Sequence, residues 1–166
     1  KSFDFFKNKG DKDRIGVTLH NYGESLYNAG KLDSAEIFTQ KAIRINEELN
    51  RLSVLSSCYK VLGKIYFQKN KYDEAKLIFL KVIDISNQLG EQSQKIATLE
   101  SLLYLASIYS TENNRVLEIQ SLNEALNLIR IFPFPGLSDD VYHRLIEFYI
   151  QTNNKTKALF FLNESK

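Results

Sequence analysis

Two stretches of the chain lie forty residues apart and have nearly the same sequence: LHNYGESLYNAGKLDSAEIFTQKAI begins at Leu19, and YKVLGKIYFQKNKYDEAKLIFLKVI begins at Tyr59. Two weaker copies begin at Leu102 and Tyr142. The steps between equivalent positions are 40, 43 and 40 residues, and those positions are Gly23, Gly63, Ala106 and Ile146. A fixed period of this length is typical of proteins built from stacked repeats. Because stacked repeats contact only their neighbours and present an extended concave surface, the sequence predicts a binding protein.

Each repeat has two apolar stripes with the period of a helix. In the second repeat Tyr59, Leu62 and Tyr66 lie at the i, i+3 and i+7 positions of one helical face. Polar breaks between the stripes contain glycine or asparagine, the residues that most readily adopt the left-handed conformation ending a helix; these are Gly30, Asn70, Asn113 and Asn153. The pattern predicts no strand and eight helices, near residues 13–29, 32–49, 52–69, 72–89, 92–111, 115–131, 138–152 and 155–166.

At these positions the chain resembles the tetratricopeptide repeat family. The first helix of that family carries a large apolar residue, then Leu-Gly and a tyrosine, and here Leu62-Gly63 and Tyr66 match it. The resemblance implies an all-α fold, a right-handed superhelical solenoid of antiparallel helix pairs. It also implies one array over 1–166, with repeats near 13–50, 51–90, 91–131 and 138–166 and with residues 1–8 as the remnant of a preceding helix. The long period resembles variants in bacterial signalling proteins, such as sensor kinases and peptide-responsive regulators, and in cargo-binding eukaryotic scaffolds.

Small residues at fixed places in each repeat are expected to let the helices of a pair approach closely. These structural positions are Gly23, Gly63, Ala35, Ala75, Ala106 and Ala158. The third repeat departs from the family pattern, since it has Glu118 where the family has its first alanine of the second helix, and the fourth has Ile146 in place of glycine. We therefore expect the third repeat to open more easily than its neighbours.

Composition excludes some classes of partner and leaves the compartment open. Twenty-two basic and 20 acidic residues are interspersed and give a net charge of +2, so we expect no binding to nucleic acid. No apolar run approaches the roughly 20 residues of a membrane span, so we expect no membrane contact by this segment. A lone cysteine, Cys58, favours a cytoplasmic protein but is compatible with an exported or periplasmic one. Because methionine is absent even from position 1, we interpret the chain as a segment of a longer protein.

The sequence shows no arrangement of residues that predicts an enzyme. The two histidines, His20 and His143, fall on different repeats, and neither has a partner at metal-ligand spacing. Phosphate-binding loops and nucleophile motifs are absent as well. We therefore predict no catalytic residue, no metal site and no cofactor.

Candidate binding residues lie on the first helix of each pair, which lines the concave groove in the family that the chain resembles. They are Asn21, Glu24, Lys60, Lys64, Phe67, Tyr104, Arg144 and Glu147. Lys60 and Lys64 lie one helical turn apart, where like charges repel. Either Glu24 or a carboxylate of the ligand would relieve that repulsion. We expect Lys60, Lys64 and Arg144 to act as basic anchors.

Two functions remain open at this stage. The first is a protein- or peptide-binding module that regulates a larger signalling protein, and the second is a self-associating scaffold, with a homodimer as one form. Residues 132–136 contain both prolines and stop the preceding helix. This segment is either a rigid spacer that packs its two phenylalanines on the core or an exposed aromatic loop for a partner.

Overall fold

A computed structural model of the chain describes residues 12–90, 92–134 and 136–165, and within them every regular element is a helix. The eight helices, in chain order, are α1 (Lys12–Asn28), α2 (Leu32–Glu48), α3 (Leu52–Gln68), α4 (Tyr72–Leu89), α5 (Gln92–Thr111), α6 (Arg115–Ile131), α7 (Leu137–Gln151) and α8 (Lys155–Glu164). The all-helical prediction and the predicted order of helices are confirmed. The predicted remnant helix at 1–8 lies outside the described residues.

The same tight turn recurs after five of the helices. In the turn after α3, the amide of Asn70 donates to the carbonyl of Phe67 at 3.0 Å and the amide of Lys71 donates to that of Tyr66 at 2.9 Å. One residue in each turn has a positive φ, and these residues are Gly30, Asn50, Asn70, Asn113 and Asn153. This is the conformation expected for the residue that follows a helix C-terminus, and it satisfies carbonyls that the helix leaves unpaired. The prediction of four left-handed helix ends is confirmed, Asn50 adds a fifth, and Gly90 ends α4 in the same conformation.

The chain divides into two compact units, with the division inside α5 at Ala97 and Thr98. In the first unit, α1 contacts α2 and α3, while α3 also contacts α2 and α4. One buried core cluster of this unit consists of Leu19, Ala42, Ile43, Leu55, Cys58, Tyr59, Leu62, Val82, Ile85 and, from the start of α5, Ala97. At one edge, the ammonium of Lys69 lies 2.6 Å from a carboxylate oxygen of Asp33 and 2.6 Å from one of Glu36, which links the end of α3 to α2.

Glycines allow close contact between the helices of the first two pairs. A methyl group at Gly23 would lie 2.6 Å from Oγ1 of Thr39 and 3.1 Å from its backbone nitrogen. A methyl group at Gly63 would lie 2.7 Å from the ring of Phe79. Neither distance leaves room for a Cβ atom. Ala35 and Ala75 are both fully buried.

In the second unit, α7 contacts α6 and α8. Its largest fully buried side chains are Leu99, Ile108, Leu122, Val141 and Leu145. The rings of Tyr149 and Phe161 stack with their centroids 5.6 Å apart, which joins α7 to α8. Ala106 and Ala158 are also buried here.

The proline segment ends α6 at Ile131, as the sequence predicts. Phe132 and Phe134 are both half-buried, so the segment combines features of the spacer and of the exposed loop. The hydroxyl of Ser138 donates to the carbonyl of Phe134 at 2.9 Å, and this bond ties the segment to the start of α7. Pro135 lies outside the described residues.

Candidate functional site

In the first unit, α1 and α3 lie side by side and form a polar surface, which we call the α1–α3 face. The amide of Gln68 on α3 donates to the hydroxyl of Tyr27 on α1 at 3.1 Å. Asn21 and Glu24 are exposed on α1, and Lys60 and Lys64 are half-buried on α3. The two helices therefore place amide, carboxylate and ammonium groups on one surface.

His20 lies where Glu24 and Lys60 come together on this face. Burial of the ring lowers the pKa of His20 below its ordinary value, while Glu24 raises this pKa and Lys60 lowers it by smaller amounts. The Nδ1 atom of His20 is buried and has no hydrogen-bond partner among the described residues. Glu24 and Lys60, both predicted site residues, are thus close enough to act on one imidazole. The expectation that either Glu24 or a carboxylate of the ligand balances the charge of Lys60 and Lys64 stays a prediction.

Two predicted aromatic contacts have other surroundings. Phe67 is half-buried and packs on Tyr72 at the start of α4, with the ring centroids 5.7 Å apart. Tyr104 is half-buried on α5 and belongs to the second unit. Their roles in ligand contact stay predictions.

Cys58 lies in the core of the first unit and is fully buried. Burial raises the pKa of its thiol to about 12. Because the thiolate is the reactive form of cysteine, this side chain is inert near neutral pH.

The second unit contains a cavity of about 400 Å³ between α5, α6 and α7, which we call the α5–α7 cavity. From α5 it is lined by Ser107, Ser110 and Thr111, among others, and from α6 by Glu118 and Leu122. From α7 it is lined by Asp140, His143, Arg144, Glu147, Phe148 and Gln151. The cavity therefore brings together Arg144 and Glu147, two of the predicted site residues.

Arg144, on α7, forms hydrogen bonds with α5. Its Nε donates to the carboxylate of Asp140 at 3.1 Å, and one guanidinium nitrogen donates to the carbonyl of Leu103 at 3.0 Å and to the hydroxyl of Ser107. Two side chains and one backbone carbonyl of the chain itself thus occupy several of its donors. Its predicted role as a ligand anchor stays a prediction.

Glu118 is a carboxylate in a buried position. Only 7% of the residue is exposed, and one carboxylate oxygen, Oε2, accepts from Arg115 at 2.8 Å. Arg115 also approaches the hydroxyl of Ser110 at 3.5 Å. Burying a carboxylate is costly unless it is paired, and this local ion pair offsets part of the cost. The ion pair that the structure gives Glu118 is this one, through Oε2, and Oε1 lies outside it.

Sequence reasoning treated Glu118 only as a departure from the repeat pattern, and it left Asp140 and Ser110 out of the site. The signal for Glu118 was present, because a charged residue at an alanine position needs a partner or a ligand. No comparable signal marks Asp140 or Ser110. Within the described residues, no cluster of histidine, cysteine and acidic side chains has the arrangement of a metal site, and no helix has the length and hydropathy needed to cross a bilayer.

Comparison with known proteins relates the first two helix pairs to one family. Residues 11–88 match the family model of the tetratricopeptide repeat. The chain is 25% identical over 118 residues to tetratricopeptide repeat protein 19, a mitochondrial protein of Danio rerio. That match covers 67% of this chain, which spans only 29% of the length of the relative.

Solved structures share the fold. BtubC (BKLC) from P. vanneervenii superposes with a TM-score of 0.80 at 14% identity, over 93% of this chain and 63% of that one. A signal transduction ATPase with numerous domains and a tetratricopeptide repeat sensor, from Pyrococcus horikoshii, also has a TM-score of 0.80, at 22% identity. That superposition covers 93% of this chain and 24% of the ATPase.

Proposed function

We propose that this chain, whose residues 11–88 match the tetratricopeptide repeat family, binds a protein or peptide through the first helices of its pairs. We propose further that it is the sensing segment of a larger bacterial signalling protein. The observation that carries the proposal is the α1–α3 face. Its polar side chains stay at the surface while the apolar stripes of the same helices are buried. Amide, carboxylate and ammonium groups on adjacent helices suit an extended peptide, whose backbone offers donors and acceptors along its length.

The signalling part of the proposal is supported by the ATPase from Pyrococcus horikoshii, in which a tetratricopeptide repeat sensor forms part of a much longer chain. As a sensing segment, the chain would act by changing the behaviour of an attached domain. The buried thiol of Cys58 fits a cytoplasmic setting for such a protein.

Selection from a displayed library of random twelve-residue peptides tests the binding function. We expect enriched peptides to bind saturably, with an affinity that falls as salt is raised, because ionic contacts to Lys60 and Lys64 are screened. The Lys60→Ala/Lys64→Ala variant should bind the same peptides at least about tenfold more weakly, as expected for loss of a charge-assisted contact. The matched control is Lys41→Ala/Arg44→Ala, which removes two exposed charges from α2.

Equal binding by the Lys60→Ala/Lys64→Ala variant and the parent would refute the role of this face. Failure to enrich any saturable peptide would favour the second candidate function, a self-associating scaffold.

One observation supports that second function. The last helix, α8, leaves Leu159, Phe160 and Leu162 exposed by 60%, 51% and 44%. Adjacent exposed apolar side chains often mark a protein interface, and a homodimer would cover them. Light scattering over a hundredfold range of concentration distinguishes the two functions. A constant monomer mass at every concentration rules out the scaffold.

A further inference from the structure

The α5–α7 cavity contains a charged residue that the packing of helix pairs does not require. The other second helices of the pairs have alanine at the position of Glu118, and these residues, Ala35, Ala75 and Ala158, are buried. Alanine is therefore sufficient for the helix contact. A carboxylate at the same position, with 7% of the residue exposed, costs desolvation energy that the fold of the pair does not need.

The charges around the cavity favour a cation. Three carboxylates, those of Glu118, Asp140 and Glu147, line it against one guanidinium, that of Arg144. Arg144 pairs with Asp140 at 3.1 Å, and Arg115 pairs with Oε2 of Glu118 at 2.8 Å.

After these two pairs, Oε1 of Glu118 and the carboxylate of Glu147 remain. Glu147 contacts His143 at 3.2 Å, and an imidazole is charged only when it is protonated. Among the described residues, Glu147 thus has no permanent cation as a partner, and Glu118 has one oxygen outside its pair with Arg115.

The rest of the lining suits a long side chain with a charged end. Ala106, Leu122 and Phe148 offer apolar surface, against which the methylenes of lysine or arginine pack while the charged end reaches polar groups. The hydroxyl of Thr111 and the amide of Gln151 offer further oxygen acceptors. A volume of about 400 Å³ is large enough for such a side chain and part of its backbone.

We propose that the α5–α7 cavity is a subsite for one basic side chain, lysine or arginine, of the bound protein or peptide, with Glu118 and Glu147 as the carboxylates that receive its charge. This inference rests on the proposed binding function. It gives Glu118 a role in recognition and identifies the chemical class of one residue of the partner.

Nuclear magnetic resonance of the labelled chain tests the subsite with small probes. The probes are the blocked amino acids N-acetyl-lysine methylamide, N-acetyl-arginine methylamide and, as the uncharged analogue of lysine, N-acetyl-norleucine methylamide. We expect at least one basic probe to cause saturable shifts at the amides of Ser110, Glu118 and Gln151. The norleucine probe should cause none at the same concentrations. Equal shifts by norleucine, or no saturable shift by either basic probe, would overturn the proposal.

Two variants separate the carboxylates from a general effect of charge. Glu118→Gln and Glu147→Gln should each weaken the basic probe about tenfold, the effect typical of one lost charge-assisted hydrogen bond. The control is Glu124→Gln, which removes an exposed carboxylate from α6 that does not line the cavity and should leave binding unchanged. Undiminished binding by both cavity variants contradicts the assignment. If Glu118→Gln fails to fold, Glu147→Gln alone tests the assignment. Glu147 is exposed, so its replacement should leave the fold intact.

Spermidine distinguishes a side-chain subsite from a site for free polyamines. Saturable binding of spermidine without binding of either blocked amino acid would refute the proposal.

The subsite and the binding function fail in different ways. If selected peptides bind and depend on Lys60 and Lys64 but no basic probe enters the cavity, only the subsite is wrong. If the basic probe binds and no peptide is selected, the broader function fails and the cavity remains a site for basic groups.

Discussion

The first helix pair, α1 and α2, and the second, α3 and α4, have the same sequence pattern. Different side chains pack between the two helices of each pair. Gly23 in the first pair faces Thr39, whereas the equivalent Gly63 faces the ring of Phe79. Thr39 and Phe79 are both fully buried. The comparison teaches that a glycine in this repeat does not specify its neighbour. In the first pair it lets a backbone approach, and in the second it makes room for an aromatic ring.

A second pair of positions continues the contrast. Gly16 and Asn46 meet in the first pair, where the amide of Asn46 donates to the carbonyl of Ala42 at 2.8 Å and its Oδ1 has no partner among the described residues. The equivalents in the second pair are Ser56 and Ser86, whose hydroxyl oxygens lie 3.4 Å apart. Two buried serines thus contact one another in the second pair, whereas the first pair holds one larger amide against a glycine.

The largest difference between the two pairs should appear when the side chain opposite the glycine is truncated. We expect Phe79→Ala to lower the free energy of unfolding by about 3–5 kcal/mol, because it leaves a cavity in the second pair. Thr39→Ala should change it by less than about 1 kcal/mol, since loss of a methyl group is offset by removal of a buried hydroxyl without a partner. Urea denaturation of both variants measures the difference. Equal losses of unfolding free energy in the two variants would show that Thr39 and Phe79 contribute equally to the stability of their helix pairs.

Overpacking at the glycine sharpens the same comparison. Gly63→Leu should cost about 1–3 kcal/mol or more, because its side chain meets the buried ring of Phe79. Combining Gly63→Ala with Phe79→Leu should recover part of the cost of the two single changes, which a double-mutant cycle measures. Strict additivity, or an unchanged melting temperature for Gly63→Leu, would exclude Gly63 from the helix contact.

An exchange between pairs tests the polar positions. Gly16→Ser alone should destabilise by about 1–2 kcal/mol, because its Cβ would lie 2.8 Å from the amide nitrogen of Asn46. Adding Asn46→Ser reproduces the two serines of the second pair and should restore most of the stability lost in Gly16→Ser. Thermal unfolding of the parent, the single variant and the double variant gives the comparison. A double variant no more stable than Gly16→Ser would mean that the two interiors are not interchangeable.

The smallest expected effect concerns pH. His20 of the first repeat is equivalent to Lys60 of the second, so of these two pairs only the first has an imidazole at this position. Burial lowers the pKa of His20 in the folded chain. The neutral form is therefore favoured, and the associated stability is present above the unfolded pKa of about 6.5 and is lost as pH falls below it. His20→Gln should flatten the decline in melting temperature between about pH 7 and pH 5, and an unchanged slope would contradict the assignment.

Most of the fold follows from local patterns in the sequence. The helical stripes place every helix to within a residue or two, and asparagine at the breaks predicts the left-handed turns because few other residues accept that conformation. Asn50 was not among the predicted positions; it lies in the turn between two helix pairs, whereas the four predicted residues lie in turns within a pair.

Less of the candidate site follows from sequence, because its contacts join distant segments. Arg144 and Ser107 are 37 residues apart in the chain, so their hydrogen bond cannot be predicted from local spacing. The guanidinium of Arg144 was therefore expected to donate to a ligand. Glu118 and Arg115, in contrast, are three residues apart on one helix, and their pairing is readable from sequence. The cavity beside them is not readable, since it depends on how three helices leave space between them.

Cys58, the single cysteine of the chain, is a natural probe for measuring how the first unit opens. Its thiol is fully buried in α3, so a thiol reagent reacts only in molecules that have opened transiently. At a high concentration of reagent, the rate of modification reaches the rate at which the first unit opens. At a low concentration, it reports the fraction that is open. The labelling kinetics of one native atom thus separate how often this part of the chain opens from how long it stays open.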